Sequence, residues 1–264
     1  MHCHIVVVSI STFDRHIICS RNSHVAISRD FRSNRSVGIC NMPGFQYVAG
    51  DTLWMSKCSI SVMIRDSLKK KGIDREPTFD EIVEAKIILA ESLSKNASGV
   101  LVDGYYGVWN SVASFNIPKT VGILVRVEQS GGGKNKVNAP LGGFEPGWSV
   151  EKIKGIGADA VKLLAQYEPT EPNSAEHQFE FIQQVYEDCK KHDILMLLET
   201  VAFPFGDEKK DSKSFINRKA ETVIESAHQL SRFCDIYKAE FPGHLGNESD
   251  AQLEKKHKAR DAVI

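Results

Sequence analysis

Short, nearly continuous apolar runs recur through the C-terminal two-thirds of this chain, the last four of them 37 to 40 residues apart with helical patterns between the later ones. The runs are residues 98–103 (SGVLVD), 120–128 (TVGILVRVE), 157–164 (GADAVKLL), 194–199 (ILMLLE) and 234–241 (CDIYKAEF). Each is short and rich in branched side chains, as expected of a parallel strand covered on both faces. Between them lie amphipathic helices. Thr78 and Glu81 have capping-box spacing ahead of a stripe of Phe79, Ile82, Val83, Ile87, Ala90 and Leu93. Residues 174–191 repeat the pattern with Phe179, Ile182, Val185, Tyr186 and Cys189, and residues 214–232 with Ile216, Ala220, Val223, Ile224 and Ala227. Repeated βα units predict an α/β fold of the (β/α)8 TIM-barrel type. With one strand counted before Ser67 and a last helix near residues 249–263, six units are present, and the last two of a full barrel are expected to be missing.

The 264 residues suit one large α/β domain better than two ordinary ones. A formal charge of −1 supplies no global field to attract nucleic acid or a membrane surface, so neither is expected as a partner, and any attraction for an anion must be local. The longest apolar runs fall far short of the roughly 20 residues that span a bilayer. Six cysteines without a CxxC pair suit a reduced, cytoplasmic chain.

Residues 1–60 differ from 61–264, the expected incomplete barrel domain. Five arginines (Arg15, Arg21, Arg29, Arg32, Arg35) stand against only Asp14 and Asp30 before Asp51, a balance similar to that of an organellar transit peptide. The stretch lacks a sustained amphipathic helix, so a divergent or disordered extension is the competing expectation. The cluster Met1-His2-Cys3-His4 matches no standard zinc spacing, and no metal site is assigned to it. The segment 129–146 is rich in Gly and Lys and reads as a long loop, at the position where βα loops form a barrel's active face.

Three ionisable residues, Lys162, Glu199 and Lys238, sit near the ends of three successive strands. Strand alternation puts Lys238 on the side of Ile236 and Glu199 on the side of Leu197. If those faces point inward, strands about 4.8 Å apart bring the three groups within roughly 10 Å of one another. A lysine attacks a carbonyl only as the free amine, and both burial and a neighbouring cation disfavour its ammonium form. Two lysines and a carboxylate therefore suit chemistry through an imine, with Lys238 as nucleophile, Lys162 as its tuning cation and Glu199 as proton carrier. The competing structural assignment is an interior ion pair, for example Lys238 with Glu240.

The strings GADAVKLLAQYEP, ILMLLETVAFP and DIYKAEFPG resemble three strand motifs of the tagatose 1,6-bisphosphate aldolase family, which includes sulfofructose-phosphate aldolases. ASGVLVDGYYG is similar to the family's second strand, and Glu128 matches a glutamate that ends its third. The resemblance implies a barrel, no metal and no cofactor, a Schiff-base lysine at Lys238, a proton-shuttling glutamate at Glu199 and a supporting lysine at Lys162. It also implies a small sugar-phosphate substrate met by Arg65, Asp103 and Glu128. The family's first strand ends in an Asp-Gln-Arg-x-Ser-Leu motif, matched here by Met63-Ile64-Arg65-Asp66-Ser67-Leu68, in which Met63 replaces the aspartate. The function expected is class I cleavage of tagatose 1,6-bisphosphate to dihydroxyacetone phosphate and glyceraldehyde 3-phosphate. The alternatives are a sulfofructose-phosphate aldolase, for which Arg65 and Lys134–Lys136 would meet the other anion, and a non-catalytic truncated barrel whose open edges favour homo-oligomers.

Overall fold

The computed structural model describes residues 57–94, 97, 99–108, 117–243 and 249–263, together with short strands in the first 54 residues. The strands are β1 (Ile5–Ser9), β2 (Ile17–Ser20), β3 (Ile39–Met42), β4 (Phe45–Val48), β5 (Thr52–Trp54), β6 (Gly99–Asp103), β7 (Gly122–Arg126), β8 (Gly133–Lys134), β9 (Pro140–Leu141), β10 (Ala160–Gln166), β11 (Leu195–Val201) and β12 (Ile236–Glu240). One sheet runs in the order β2-β1-β12-β11-β10-β7-β6-β5. Every neighbouring pair from β5 to β1 is parallel, and β1 pairs β2 antiparallel. The predicted strands between residues 98 and 241 are all present, as consecutive parallel neighbours. The architecture is α/β, a largely parallel sheet with helices packed against it. The edge of β12 is paired with β1, Ile5 to Ile236 through Ser9 to Glu240, so this edge is not open as the sequence suggested.

Parallel neighbours need long crossovers, and helices supply them: Phe79–Leu93, Pro172–Lys191 and Lys213–Leu230, with a short Val150–Gly155 and a last Asp250–Asp261. Side chains hold their first turns. Thr78 accepts the Glu81 N–H at 3.2 Å while Glu81 accepts the Thr78 N–H at 2.9 Å, the reciprocal box its spacing predicts. Ser149 and Ser212 make the single bond, accepting the Lys152 N–H at 3.2 Å and the Phe215 N–H at 3.3 Å, and Glu171 accepts the Ser174 N–H at 2.7 Å.

Alternation along the strands divides the molecule into two environments. Val100, Val102, Val125, Val127, Val161, Leu163, Met196, Leu198, Tyr237 and Ala239 pack with Ile82, Ala90, Ile153, Ile182, Val185, Ala227 and Leu230 in one apolar cluster between sheet and helices. Each fully buried aliphatic side chain there contributes about 1.5–3 kcal/mol. Tyr237 keeps its phenol in this layer by bonding Thr200 Oγ1 at 2.5 Å, and burial pushes that phenol well above its ordinary titration range. The intervening residues, Leu124, Lys162, Leu197, Glu199, Ile236 and Lys238, stand apart from that cluster. The sheet has an apolar outer face and a charged inner one.

Three expectations change. Met63–Leu68 is not the end of a strand but part of the Lys57–Lys70 helix, whose Ile64 and Leu68 lie one turn apart and turn toward the core. Phe79 is 46% exposed at the head of its helix, where it stacks on Tyr105 and Tyr106, and the stripe instead carries the fully buried Lys86. Residues 129–146 are not a plain loop: β8 and β9 pair as a hairpin, extended by a bridge between Glu128 and Phe144. Among the described residues no helix is long and apolar enough to cross a membrane.

Candidate active site

The inner face of β10, β11 and β12 brings the three predicted side chains together. Register sets Glu199 opposite Lys238 and Lys162 opposite Leu197, so Glu199 stands between the two lysines. Lys238 Nζ lies 2.8 Å from Glu199 Oε1, and Lys162 Nζ lies 3.2 Å from Glu199 Oε2. One carboxylate is gripped at both oxygens by two lysines. Lys162 reaches further to Glu128 Oε1, at 3.5 Å, and Glu128 Oε2 accepts the Leu164 N–H at 3.1 Å. The result is a line of alternating charge, Glu128–Lys162–Glu199–Lys238, running from just past the end of β7 across β10 and β11 to β12.

Burial grades along that line. The Lys162 side chain is 2% exposed, that of Glu199 7% and that of Glu128 9%, whereas the Lys238 side chain keeps 15% of its surface open. The amine that a substrate can reach is therefore the one at the end. Burial alone would raise the Glu199 carboxyl, but the ammonium groups of Lys162 and Lys238 and their hydrogen bonds outweigh it and hold Glu199 below the ordinary range. At Glu128 burial wins. Lys162, Arg126 and the Leu164 N–H offset it only in part, and that carboxyl is raised.

The interior ion pair considered for Lys238 does not involve Glu240 as its main partner. Glu240 binds Lys219 at 2.7 Å and accepts the Ala202 N–H at 2.9 Å, while Lys238 holds Glu199. Of the residues expected to meet substrate, Glu128 joins the cluster and two do not. Asp103 is buried at the end of β6, where it pairs with Lys86 and accepts the Tyr106 N–H at 2.7 Å. Arg65 lies on the Lys57–Lys70 helix, paired with Glu76 at 3.1 Å. Lys134 and Lys136 are exposed on the hairpin.

Sequence reasoning missed Arg126. It lies two residues before Glu128 on β7, hence on the same face, opposite Lys162 in register, and it pairs with Glu145 of the returning hairpin at 2.9 Å. The alternation that selected Glu199 would have selected it. The hairpin itself is tied down at several points: Val137 O accepts the Gly206 N–H at 2.9 Å, Pro140 O accepts the Ser174 hydroxyl at 2.6 Å, and Gly142 O lies 2.7 Å from His177 Nε2. It bridges the segments that follow β10 and β11. Among the described residues no group of three or more His, Cys, Asp or Glu gathers as metal ligands would.

Residues 67–263 match the family model described as DeoC/LacD family aldolase. Curated relatives include tagatose 1,6-diphosphate aldolase 1 of Enterococcus faecalis, 28% identical over 196 residues, which are 71% of this chain and 58% of that protein. Tagatose 1,6-diphosphate aldolase of Lactococcus lactis subsp. lactis is 32% identical over 173 residues, 64% of this chain and 52% of that protein. The chain thus spans about half the length of the curated relatives it matches. Among solved structures, a Schiff base forming fructose-1,6-bisphosphate aldolase superposes with a TM-score of 0.48 at 16% identity, covering 80% of this chain and 70% of that one. The family match extends over most of the chain, including every strand that carries the cluster, and the chain belongs to the DeoC/LacD aldolase family.

Proposed function

We propose that this protein is a class I aldolase that cleaves tagatose 1,6-bisphosphate into dihydroxyacetone phosphate and glyceraldehyde 3-phosphate through an imine on Lys238. The observation that carries the proposal is the Glu199 carboxylate held by Lys238 at one oxygen and by Lys162 at the other. Tagatose 1,6-diphosphate is the substrate named for the relatives, and it has the ketone such an amine attacks.

The free amine of Lys238 attacks C2 of the ketose to form a carbinolamine. The proton that Lys238 gave up returns through Glu199, 2.8 Å away, to the carbinolamine hydroxyl, which leaves as water and gives an iminium. Glu199, again a carboxylate, takes the proton of the C4 hydroxyl as the C3–C4 bond breaks. The electron pair of that bond flows into the iminium, leaving an enamine on Lys238 and releasing glyceraldehyde 3-phosphate. Protonation of the enamine at C3 and hydrolysis of the imine release dihydroxyacetone phosphate and restore the lysine. Lys162 is an ammonium at each of these bond-making and bond-breaking steps and holds Glu199 in place.

No step in this scheme needs a metal. Cleavage of tagatose 1,6-bisphosphate, followed by coupled detection of either triose phosphate, is expected to proceed at the same rate with and without EDTA. Loss of turnover in EDTA with recovery on adding zinc would move the reaction to metal-assisted polarisation of the carbonyl and remove Lys238 from its role.

A further inference from the structure

Resting on the Schiff-base assignment above, we infer that Glu128 is a positioning residue that acts through Lys162 as the resting place of the proton Lys238 must lose before it can attack a carbonyl. A lysine ammonium has no lone pair, so the reaction begins only once that proton has somewhere to go. The cluster supplies one route. Lys238 Nζ lies 2.8 Å from Glu199 Oε1, Glu199 Oε2 lies 3.2 Å from Lys162 Nζ, and Lys162 Nζ lies 3.5 Å from Glu128 Oε1. A small swing of Nζ closes the last gap to the roughly 2.7–2.9 Å of a charged hydrogen bond.

The transfer balances. Lys162 gives one proton to Glu128, Lys238 gives one to Glu199 Oε1, and rotation of the Glu199 carboxyl about Cγ–Cδ carries that proton round to Lys162. At the end Lys238 is a neutral amine, Glu199 is again a carboxylate, Lys162 is again an ammonium and Glu128 is a neutral acid. One cation and one anion have vanished together, so no net charge is created in the buried interior.

Glu128 suits the terminal position better than Glu199 does. Its surroundings are Lys162 on β10, Glu199 beyond it on β11, and Arg126 at the end of β7 two residues before it, which is itself paired with Glu145. Glu199 is flanked by two lysines, Glu128 by one at longer range. Burial raises the Glu128 carboxyl while the lysines lower that of Glu199, so a proton shared between them settles on Glu128. Both Glu128 oxygens are engaged by protein, one by Lys162 and one by the Leu164 N–H, so its action passes through Lys162.

Two measurements test the assignment. Infrared difference spectroscopy of the unliganded wild-type protein at neutral pH should show the carbonyl stretch of a buried protonated carboxyl, lost in Glu128→Gln and kept in Glu199→Gln. Its absence from wild type overturns the inference whatever the activity. The rate of borohydride trapping of dihydroxyacetone phosphate on Lys238 should fall about tenfold at neutral pH in Glu128→Gln and recover at alkaline pH, where solvent takes the proton, and Glu128→Asp should restore part of the neutral rate. Gln can still accept the Leu164 N–H, so a purely structural role predicts the same fractional loss at every pH, and that result overturns the relay. Failure of wild type to trap at all, with the infrared band present, removes the Schiff-base reading and this inference with it; trapping without the band removes only this inference.

Discussion

Replacing Lys162 by methionine is expected to destabilise the fold by about 3–5 kcal/mol at neutral pH, the range for removing one partner from a buried charge network. Methionine fills nearly the same volume, so the loss is electrostatic rather than a cavity. Lys162 is the ammonium between Glu128 and Glu199, and without it the Glu199 carboxylate and the Glu128 carboxyl, already raised by burial, are left with no cation between them. The pH dependence identifies the cause. In the native protein Glu199 is depressed, so its contribution to stability is present above the ordinary glutamate value of about 4.3 and is lost as pH falls through its lower folded value. Glu128 is raised and runs the other way, costing stability as pH climbs from about 4.3 to its folded value. In the variant both carboxyls lie on the costly side, so its deficit against wild type should shrink on acidification toward pH 4. Denaturant unfolding at several pH values measures this, and a deficit that stays constant with pH would contradict the charge assignment. Imine formation in the variant should be slower rather than blocked.

Glu199→Gln is expected to lower turnover by about 10²–10⁴-fold, the usual worth of a positioned general acid and base. Glutamine can keep a hydrogen bond to one lysine through its carbonyl, but its amide must then point at the other, and it cannot take the C4 hydroxyl proton. The nucleophile remains, so an adduct should still form on Lys238 while carbinolamine dehydration and C3–C4 cleavage stall. Comparing steady-state cleavage with single-turnover trapping separates the two. A variant that turns over within a few-fold of wild type would assign the proton transfers to another group.

The inner cluster was legible because a strand's period of two is rigid: once Ile236 and Leu197 face inward, Lys238 and Glu199 follow, and parallel registry brings them level. The partners of charged residues were not legible in the same way, since pairing is decided by three-dimensional contact. Glu240, two residues from Lys238 and on the same face, is drawn instead to Lys219 from a helix. Asp103 is met by Lys86, a charge in the middle of an otherwise apolar helix stripe, whose burial no periodicity rule anticipates. The placing of residues 63–68 at a strand end came from resemblance alone, and Arg65, Asp66 and Ser67 interrupt any apolar run there. Ile64 and Leu68 have the spacing of a helix face, and that spacing agrees with the structure.

The central claim is that the amine of Lys238 forms the imine, and reductive trapping tests it most directly. Incubation of the protein with dihydroxyacetone phosphate and borohydride converts an iminium to a stable secondary amine, which proteolysis and mass spectrometry locate. The expected result is the mass of the reduced triose phosphate on the peptide containing Tyr237-Lys238-Ala239, absent from Lys238→Arg, whose guanidinium stays protonated and forms no imine. A label on Lys162 with none on Lys238 would reverse the two lysines, and folded protein that carries no label on any lysine would contradict the account.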